Sequence, residues 1–371
     1  MLLSACVLTR EEPGDLRRAL TSLKKAPDEI VVVANHDTSD QTEQVTREFN
    51  GKLVRYHWNH DFAAARNAGL EAAGGEWIYW IDTDEELLTA DRLLFKRLLS
   101  DRKALAYYVG IQDVIAGSSA LMSERHHRSL YRRREDVRYV GRVHEHLAPS
   151  LEELATTLKM RITLSPVKVR HYGYASERTP RRLQRNIELM DLELRDRPGQ
   201  LYYEIELGRS LLLVGDARGH RVLAGAAKQV LAEAQQPRAP LPLVAALLEY
   251  ALTRATGDCP LTTSQAAELA MRWFPNSPPV LWQAARWHYG QGRFSEAAGL
   301  LEKVLKLGRR GSFDHDTCFD QQVFGDETLL NLGVCWARVG SLDKARRCFR
   351  LLAGKGGQFA EAAAANLSRL K

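Results

Sequence analysis

The sequence predicts an α/β domain with a mainly parallel sheet, followed in the same chain by an all-α helical repeat. Up to about Tyr174, short apolar runs alternate with amphipathic segments, a pattern typical of βαβ units and a parallel sheet. From about Arg181 onward, strand signals nearly vanish and segments rich in leucine and alanine take over. We therefore predict an α/β domain at residues 1–175, a linking helix at 176–200 and a repeat domain at 201–371.

Length and composition limit the class of protein. The chain has 371 residues, 45% hydrophobic and 26% charged, which is close to the average for soluble globular domains and long enough for two or three of them. Its net charge of +6 is spread along the chain, so we expect no nucleic-acid partner. No stretch approaches the roughly 20 apolar residues of a transmembrane segment. The five cysteines are scattered without CxxC spacing, which favours a reducing cytoplasm over a disulfide framework or a zinc site.

The N-terminal half reads as alternating strands and helices. The apolar runs predict strands at Leu2–Leu8, Glu29–Ala34, Leu53–His57 and Trp77–Ile81, with helices at Asp15–Lys24, Thr42–Phe49 and Phe62–Ala73 between them. Asp61 is placed to cap the third helix, and Gly74-Gly75 to end it through a left-handed residue. Ligands of such sheets bind at the carboxyl ends of the strands. Asn35–Asp40 and Asp82–Glu86 both follow predicted strands, so we expect the ligand site there.

The C-terminal half contains an internal repeat. Small and large residues recur at tetratricopeptide spacings. They are Leu332-Gly333, Trp336, Gly340, Ala345 and Phe349 in one copy, with a second copy in Val280–Leu307 and a degenerate one at Leu207–Gly215. Leu243–Phe274 predicts another helical pair with a long turn, and Phe359–Leu370 predicts a capping helix. Each helical hairpin of this kind buries its apolar face only by stacking on the next one, so the pattern predicts a solenoid. An unrelated helical bundle is the alternative.

The sharpest chemical signal is Asp82-Thr83-Asp84, directly after the apolar run Trp77–Ile81. A nucleoside diphosphate-sugar reacts only when the charge of its diphosphate is neutralised, and a hard divalent cation held by carboxylate oxygens neutralises it. Acidic runs are also common in surface turns. The motif alone leaves both interpretations open.

Longer runs of sequence point to a family. Asp61–Leu70 (DFAAARNAGL) and Gly74–Glu85 (GGEWIYWIDTDE) closely resemble family 2 glycosyltransferases. The resemblance continues in Asp28–Val33, Thr38–Thr42, Arg128–Arg132, Gly141–Glu145 and His171–Tyr174. It covers about half of the chain by motif, and a trailing tetratricopeptide array is common in this bacterial subgroup, which includes relatives of peptide S-glycosyltransferases. The resemblance implies a Rossmann-like GT-A fold and an inverting transfer from a nucleoside diphosphate-sugar, with Mg²⁺ or Mn²⁺ as cofactor and a UDP-sugar favoured.

The resemblance also implies roles for individual residues. The nucleotide-sugar would be bound by Thr9, Asn35, Asp40, Arg66, Asp82 and Thr83. Asp84 would bind the metal, and His171 would complete the metal shell or contact the diphosphate, the alternative being a packed strand residue. Asn35 stands where the family usually has aspartate, and Thr9–Glu12 departs from the usual Lys-Asn-Glu-Glu. These departures leave open which nucleobase the donor carries.

An inverting transfer needs a base that removes the proton of the acceptor. We expect Glu145, which follows the glycine-containing segment Gly141–His144, to be that base, and Asp113 is the second candidate. A surface salt bridge to a nearby arginine is the structural alternative for Glu145.

The expected protein is thus a cytoplasmic, metal-dependent glycosyltransferase whose repeats recruit a peptide, protein or glycan acceptor or mediate self-association. The alternative is a non-catalytic scaffold, in which a degenerate transferase-like domain accompanies repeats that bind partners. The departures at Asn35 and Thr9 favour the scaffold, whereas the joint presence of Asp84, Glu145 and His171 favours the enzyme. A nucleotidyltransferase would need a glycine-rich basic phosphate loop near the N-terminus, which the sequence after Thr9 does not provide.

Overall fold

The computed structural model describes residues 2–10, 12–23, 26–114, 121–172, 179–253, 259–314 and 321–370. They form two compact units, Met1–Asp196 and Arg197–Lys371. In the described residues the first unit is α/β and the second is helical, which confirms the predicted fold class. The helix Thr179–Asp196, which covers most of the predicted linking segment, lies in the first unit. None of the helices described here is both long and apolar enough to cross a membrane.

The first unit alternates strands and helices before adding a mixed half-sheet. In chain order its elements are β1 (Leu3–Thr9), α1 (Pro13–Leu23), β2 (Glu29–Asn35), α2 (Asp40–Glu48), β3 (Lys52–Tyr56), α3 (Phe62–Ala72), β4 (Trp77–Trp80), β5 (Glu85–Leu87), α4 (Arg92–Leu99), β6 (Ala104–Val114), β7 (Leu121–Arg132), β8 (Arg138–Val140), β9 (His146–Ala148), α5 (Leu151–Leu158), β10 (Arg161–His171) and α6 (Thr179–Asp196). The elements predicted up to residue 81 are all present, with ends within two residues of the predicted ones.

The described strands form an eight-stranded sheet in the order β3-β2-β1-β4-β7-β6-β10-β5, and β8 pairs with β9 separately. Strands β1 to β4 run parallel to their neighbours within this group. Strand β7 is antiparallel to β4 and β6, and β5 is antiparallel to β10. The parallel strands therefore bring their carboxyl ends to one edge of the sheet.

The core lies on both faces of the central strands. Successive residues of a strand point to opposite faces, so Leu3, Val7, Trp77 and Tyr79 pack on one side of the sheet, and Cys6, Val31, Ile78 and Trp80 on the other. All of these side chains are buried. Strands buried on both faces are held rigidly, and they provide a fixed base for the residues that follow them.

Helix α3 begins as predicted but ends differently. The Oδ1 of Asp61 accepts a hydrogen bond from the backbone nitrogen of Ala64 at 2.9 Å. At the other end, Ala73 is extended (φ −74°, ψ 133°), and neither Gly74 nor Gly75 has a positive φ among the described glycines. The expected left-handed exit was therefore wrong. Glycine is needed at position 75 for a different reason, because a Cβ there would lie 2.6 Å from the backbone nitrogen of Ser4.

The described part of the second unit consists of successive helices. They are α7 (Leu201–Leu213), α8 (Arg218–Ala232), α9 (Val244–Thr253), α10 (Thr263–Trp273), α11 (Pro278–Gly290), α12 (Phe294–Arg310), α13 (Asp326–Val339), α14 (Leu342–Lys355) and α15 (Ala360–Arg369), with a short 3₁₀ helix at Gln321–Phe324. Consecutive helices pack in pairs, and α12 also packs on α13. A Cβ at Gly333 would lie 2.6 Å from the ring of Phe349, so the small and large residues of the repeat pattern meet in the hairpin. This region is consistent with tetratricopeptide repeats.

Helix α9 carries a partly buried carboxyl group whose ionisation opposes folding. Burial raises the pKa of Glu249 from 4.5 to about 7, and Arg209 lowers it by a smaller amount. Between these pH values the folded chain holds a proton that the unfolded chain has lost, so stability falls as the pH rises. We expect Glu249→Gln to raise the free energy of unfolding by as much as about 3 kcal/mol at pH 8, and to have little effect at pH 4.

Urea unfolding of the full chain at both pH values measures this difference. The exposed Glu268 of α10 provides a matched control, because Glu268→Gln removes the same charge without burial. An equal gain from Glu249→Gln at pH 4 and pH 8 would show that burial of the charge is not the cause.

Candidate active site

A cavity of about 670 Å³ lies at the carboxyl ends of β1, β2 and β4, in the first unit. Ten site residues were predicted from the sequence. Those that line the cavity are Thr9, Asn35, Arg66, Asp82, Thr83, Asp84, Glu145 and His171. Residues that are far apart in the chain are thus brought to one site by the parallel arrangement of the strands.

The other two predicted residues are placed differently. Asp40 begins α2 and is exposed, where its carboxylate lies close to the positive end of the helix dipole; it is outside the cavity lining. The backbone of Asp113 pairs with His171 of β10, but the side chain of Asp113 lies outside the described part of the chain. Gly173 and Tyr174, at the end of the predicted block that begins with His171, also lie outside the described residues.

Arg66 of α3 connects two acidic residues of the cavity. Its Nε lies 2.5 Å from the Oε1 of Glu145, and its Nη2 lies 3.3 Å from the Oδ1 of Asp82. The guanidinium group also stacks 4.7 Å from the ring centre of Trp80. Only 12% of the Glu145 side chain is exposed. Its salt bridge to Arg66 therefore lies inside the cavity and not at the outer surface.

This network determines the charges at neutral pH. Burial alone lowers the pKa of Arg66, but Glu145 and Asp82 raise it above the ordinary value. Partial desolvation in the cavity raises the pKa of Asp82, but Arg66 and, to a smaller extent, His127 bring it below the ordinary value. Arg66 is therefore protonated and Asp82 is ionised. The Asp82 side chain is 52% exposed, which leaves its carboxylate accessible to a ligand.

Asp84 lies between an imidazole and a guanidinium. Its Oδ2 is 3.7 Å from the Nε2 of His171 and 2.9 Å from the Nη2 of Arg182. Strand pairing sets the first contact, because β10 places His171 opposite Glu85, the residue after Asp84. The Asp84 and His171 side chains are only 14% and 15% exposed.

The pair of Asp84 and His171 fits a divalent cation. A separation of 3.7 Å between their nearest polar atoms can be spanned by one ion with bonds of about 2.1 Å to each. In the described residues, no three His, Cys, Asp or Glu side chains are grouped to hold a metal. Water and substrate phosphates, which commonly complete the coordination of Mg²⁺, would be suitable as further ligands. In this structure Arg182 contacts the same Asp84 oxygen and competes with a cation for it.

Glu145 is held in the turn between β8 and β9. His144 has a left-handed backbone (φ 52°), which costs a non-glycine residue about 1–2 kcal/mol. The turn is tied down because the Phe62 backbone nitrogen donates to the carbonyl oxygen of Arg142 at 2.9 Å. Such backbone conformations persist where the surroundings enforce them, and they concentrate at functional sites.

Two polar side chains, Asn35 and Thr9, lie near the ends of β1 and β2 and line the cavity. The Oδ1 of Asn35 accepts hydrogen bonds from the backbone nitrogens of His36 and Trp58, both at 3.0 Å, so the Nδ2 of Asn35 is the group left to donate. The hydroxyl of Thr9 is buried and has no hydrogen-bond partner among the described residues. Buried polar groups usually have a partner, so this end of the cavity has one unsatisfied buried hydroxyl, that of Thr9, beside the amide donor of Asn35.

Helix α6 supplies cavity residues that were not predicted from the sequence. They are Arg181, Arg182, Arg185 and Asn186. The guanidinium of Arg185 stacks 4.8 Å from the ring centre of Phe62, and its Nη2 donates to the Oδ1 of Asn186 at 3.1 Å. The signal available in the sequence was the spacing of Arg181 and Arg185, because residues four apart lie on one face of a helix.

Comparison with known proteins gives a family match and several curated relatives. Residues 4–150 match the model of glycosyl transferase family 2. A TPR repeat-containing protein of Synechococcus elongatus is 34% identical over 219 residues, which cover 58% of this chain and 53% of that protein. The SPbeta prophage-derived glycosyltransferase SunS of Bacillus subtilis is 26% identical over 216 residues, which cover 56% of this chain and 49% of SunS. The chain thus spans about half the length of these curated relatives.

Among solved structures, S. aureus TarS aligns with 77% of this chain and 53% of its own, at 16% identity and a TM-score of 0.35. The family match covers the parallel half of the sheet together with the Asp82–Asp84 motif and Glu145. The resemblance found in the sequence is therefore confirmed for this region. Residues 4–150 are a glycosyl transferase family 2 domain with a GT-A type α/β fold, and a helical region consistent with tetratricopeptide repeats follows in the same chain.

Proposed function

We propose that this protein transfers a sugar, with inversion, from a nucleoside diphosphate-sugar to an acceptor, using Mg²⁺ or Mn²⁺. The observation that carries the proposal is the cavity of the family 2 domain, where Asp82, Asp84, Arg66 and Glu145 meet at the carboxyl ends of parallel strands. Ligands of open α/β sheets bind at this edge. The cavity is also within the size range of small-molecule sites.

The donor is oriented by the two ends of the cavity. The Nδ2 of Asn35 is available to donate a hydrogen bond to the nucleoside, and a carbonyl oxygen of uracil suits such a donor. Thr9 lines the same end of the cavity. The diphosphate then lies toward Asp82–Asp84. Asp84 and His171 would hold the cation, which supplies positive charge to the leaving diphosphate. We favour a UDP-sugar as donor.

Glu145 is the proposed base, with Asp113 as the second candidate. The acceptor forms a bond to the anomeric carbon, the bond from that carbon to the diphosphate oxygen breaks, and its electron pair leaves with the diphosphate. The proton of the acceptor passes to the Glu145 carboxylate. Arg66 holds that carboxylate in position through its hydrogen bond of 2.5 Å.

We propose that the helical repeats recruit a peptide, protein or glycan acceptor or mediate self-association, since stacked helical hairpins present extended binding surfaces. A reducing compartment such as the cytoplasm suits the chain, because Cys6, Cys259, Cys335 and Cys348 are free thiols. The second candidate is a non-catalytic scaffold. One observation favours it, which is that Arg182 contacts the oxygen of Asp84 that a cation would need.

A thermal-shift and hydrolysis panel tests the proposal. The full chain is mixed with UDP-, GDP-, CMP- or dTDP-sugars, with and without Mn²⁺, and the melting temperature and released nucleotide are measured. We expect one nucleotide class to raise the melting temperature, and Mn²⁺ to increase that shift, because ligands that bind only the native state stabilise it. If no donor produces a shift or a released nucleotide while the protein is folded, the scaffold replaces the enzyme as our proposal.

A further inference from the structure

We infer that helix α6 carries a cationic clamp, formed by Arg181, Arg182 and Arg185, that binds the diphosphate of the donor and accepts the charge left on it when the sugar departs. The inference rests on the proposed function, because it assigns a ligand to the same cavity. It adds residues from outside the region that matches the family model, which ends at residue 150.

The first argument is position. All three arginines line the cavity. Arg181 and Arg185 are four residues apart and therefore share one face of α6, with Arg182 beside them. The contact of 2.9 Å between Arg182 and Asp84 places this face at the Asp82–Asp84 end of the cavity. That end is where the proposed donor has its phosphates.

The second argument is charge. In the described part of the chain, no carboxylate lies within ion-pair distance of Arg185, whose hydrogen bonds go to the neutral amide oxygen of Asn186. Burial lowers the pKa of Arg185, the like charges of Arg182 and Arg10 lower it further, and the carboxylates of Glu12 and Glu145 offset only part of this, so the pKa stays below its ordinary value. Bringing cations together in a partly enclosed site is unfavourable unless an anion binds there. The cavity is thus prepared for an anionic ligand.

The third argument is ligand geometry. A guanidinium group presents two parallel N–H donors that match two oxygens of a phosphate. Two or three guanidinium groups on one helix face can bind the several oxygens of a diphosphate, whereas a carboxylate ligand has oxygens for only one of them. The ring of Phe62 under Arg185 fixes the plane of that guanidinium at 4.8 Å. Pre-positioned donors lose less entropy on binding, so this arrangement favours affinity as well as charge neutralisation.

A role of Arg182 in the clamp is compatible with its contact to Asp84 and with cation binding at that carboxylate. If Asp84 held a cation, the oxygen that Arg182 now contacts would be occupied, and the guanidinium of Arg182 would be free to bind phosphate. Diphosphate binding should consequently persist in part when no divalent cation is present. That property separates the clamp from a site in which the cation alone neutralises the diphosphate.

Calorimetric titration of the full chain with inorganic pyrophosphate, in EDTA, tests the clamp directly. We expect Arg185→Gln to raise the Kd for pyrophosphate by at least about tenfold. Arg185→Lys keeps the charge but loses the two parallel N–H donors of the guanidinium group, so its Kd should be intermediate. Arg195→Gln is the matched control, because Arg195 is exposed in the last turn of the same helix and is not part of the cavity lining. Its Kd should stay within about twofold of the wild-type value.

Two results would overturn the inference: wild-type protein that does not bind pyrophosphate in EDTA, or equal losses in Arg185→Gln and Arg195→Gln. Melting temperatures of all variants show whether a loss reflects unfolding, and Arg185→Lys provides a second measurement if Arg185→Gln does not fold. The clamp and the proposed function fail separately. Pyrophosphate bound through Arg185 without turnover of any sugar nucleotide contradicts only the enzyme, whereas turnover with an unchanged Kd in Arg185→Gln contradicts only the clamp.

Discussion

Replacing Glu145 with glutamine is expected to reduce kcat for sugar transfer by about 10²- to 10⁴-fold, the usual contribution of a positioned general base. Glutamine has the shape of glutamate, and its amide oxygen can still accept the hydrogen bond that the Nε of Arg66 donates to Glu145. It cannot accept a proton from the acceptor. Donor binding should therefore change far less than the rate, because Arg66 also retains its contact with Asp82.

The measurement is kcat and KM of the full chain with the donor found in the nucleotide panel, over a range of pH. Loss of the base should remove the acidic limb of the pH–rate profile, an effect that a merely structural role of Glu145 does not produce. Glu135→Gln is the matched control, since Glu135 is exposed and outside the cavity lining. An unchanged profile in Glu145→Gln would restrict this residue to positioning Arg66, and Asp113→Asn would then be the variant to test.

The first half of the sheet could be predicted because strands that are buried on both faces have a simple mark in the sequence, a continuous run of apolar residues. The central residues of strand β2 (Glu29–Asn35) are isoleucine, valine and alanine without interruption, and all of them are buried. The later strands lack this mark. Strand β7 (Leu121–Arg132) contains glutamate, histidine and arginine, and β10 (Arg161–His171) contains proline and alternates only loosely. Their place in the sheet depends on pairing with distant strands, which apolar patterning does not reveal.

The same difference separates the site residues that were predicted from those that were missed. Asn35 and Asp82 directly follow predicted strands, so a general rule for parallel sheets located them. Arg182 is 98 residues from its partner Asp84 in the chain, and a cationic helix is indistinguishable from a solvated one until its packing is known. Sequence also could not show that the Oδ1 of Asn35 is occupied by two backbone donors. That orientation of the amide depends on where the backbone of Trp58 lies.

Removing the Asp84 carboxylate should have the largest effect on the metal. Asp84 and His171 are the proposed ligands of the cation, with their nearest polar atoms 3.7 Å apart, and Asp84→Ala leaves the imidazole alone. We expect the affinity for Mn²⁺ to fall by at least about 100-fold, since changes even outside the ligand set commonly cost 10- to 100-fold. The increase in donor binding that Mn²⁺ produces should disappear with it. Binding of pyrophosphate in EDTA through Arg185 should remain.

Arg182→Gln makes this prediction sharper, because it should act in the opposite direction on the metal. The guanidinium of Arg182 lies 2.9 Å from the Oδ2 of Asp84, so its removal frees that oxygen and should strengthen Mn²⁺ binding. Titration of Mn²⁺ followed by electron paramagnetic resonance measures both variants without any need for activity. If Asp84→Ala and Arg182→Gln weaken Mn²⁺ binding equally, the two residues form a structural bridge, and the cation is bound elsewhere. Opposite changes establish that arginine and cation compete for one carboxylate.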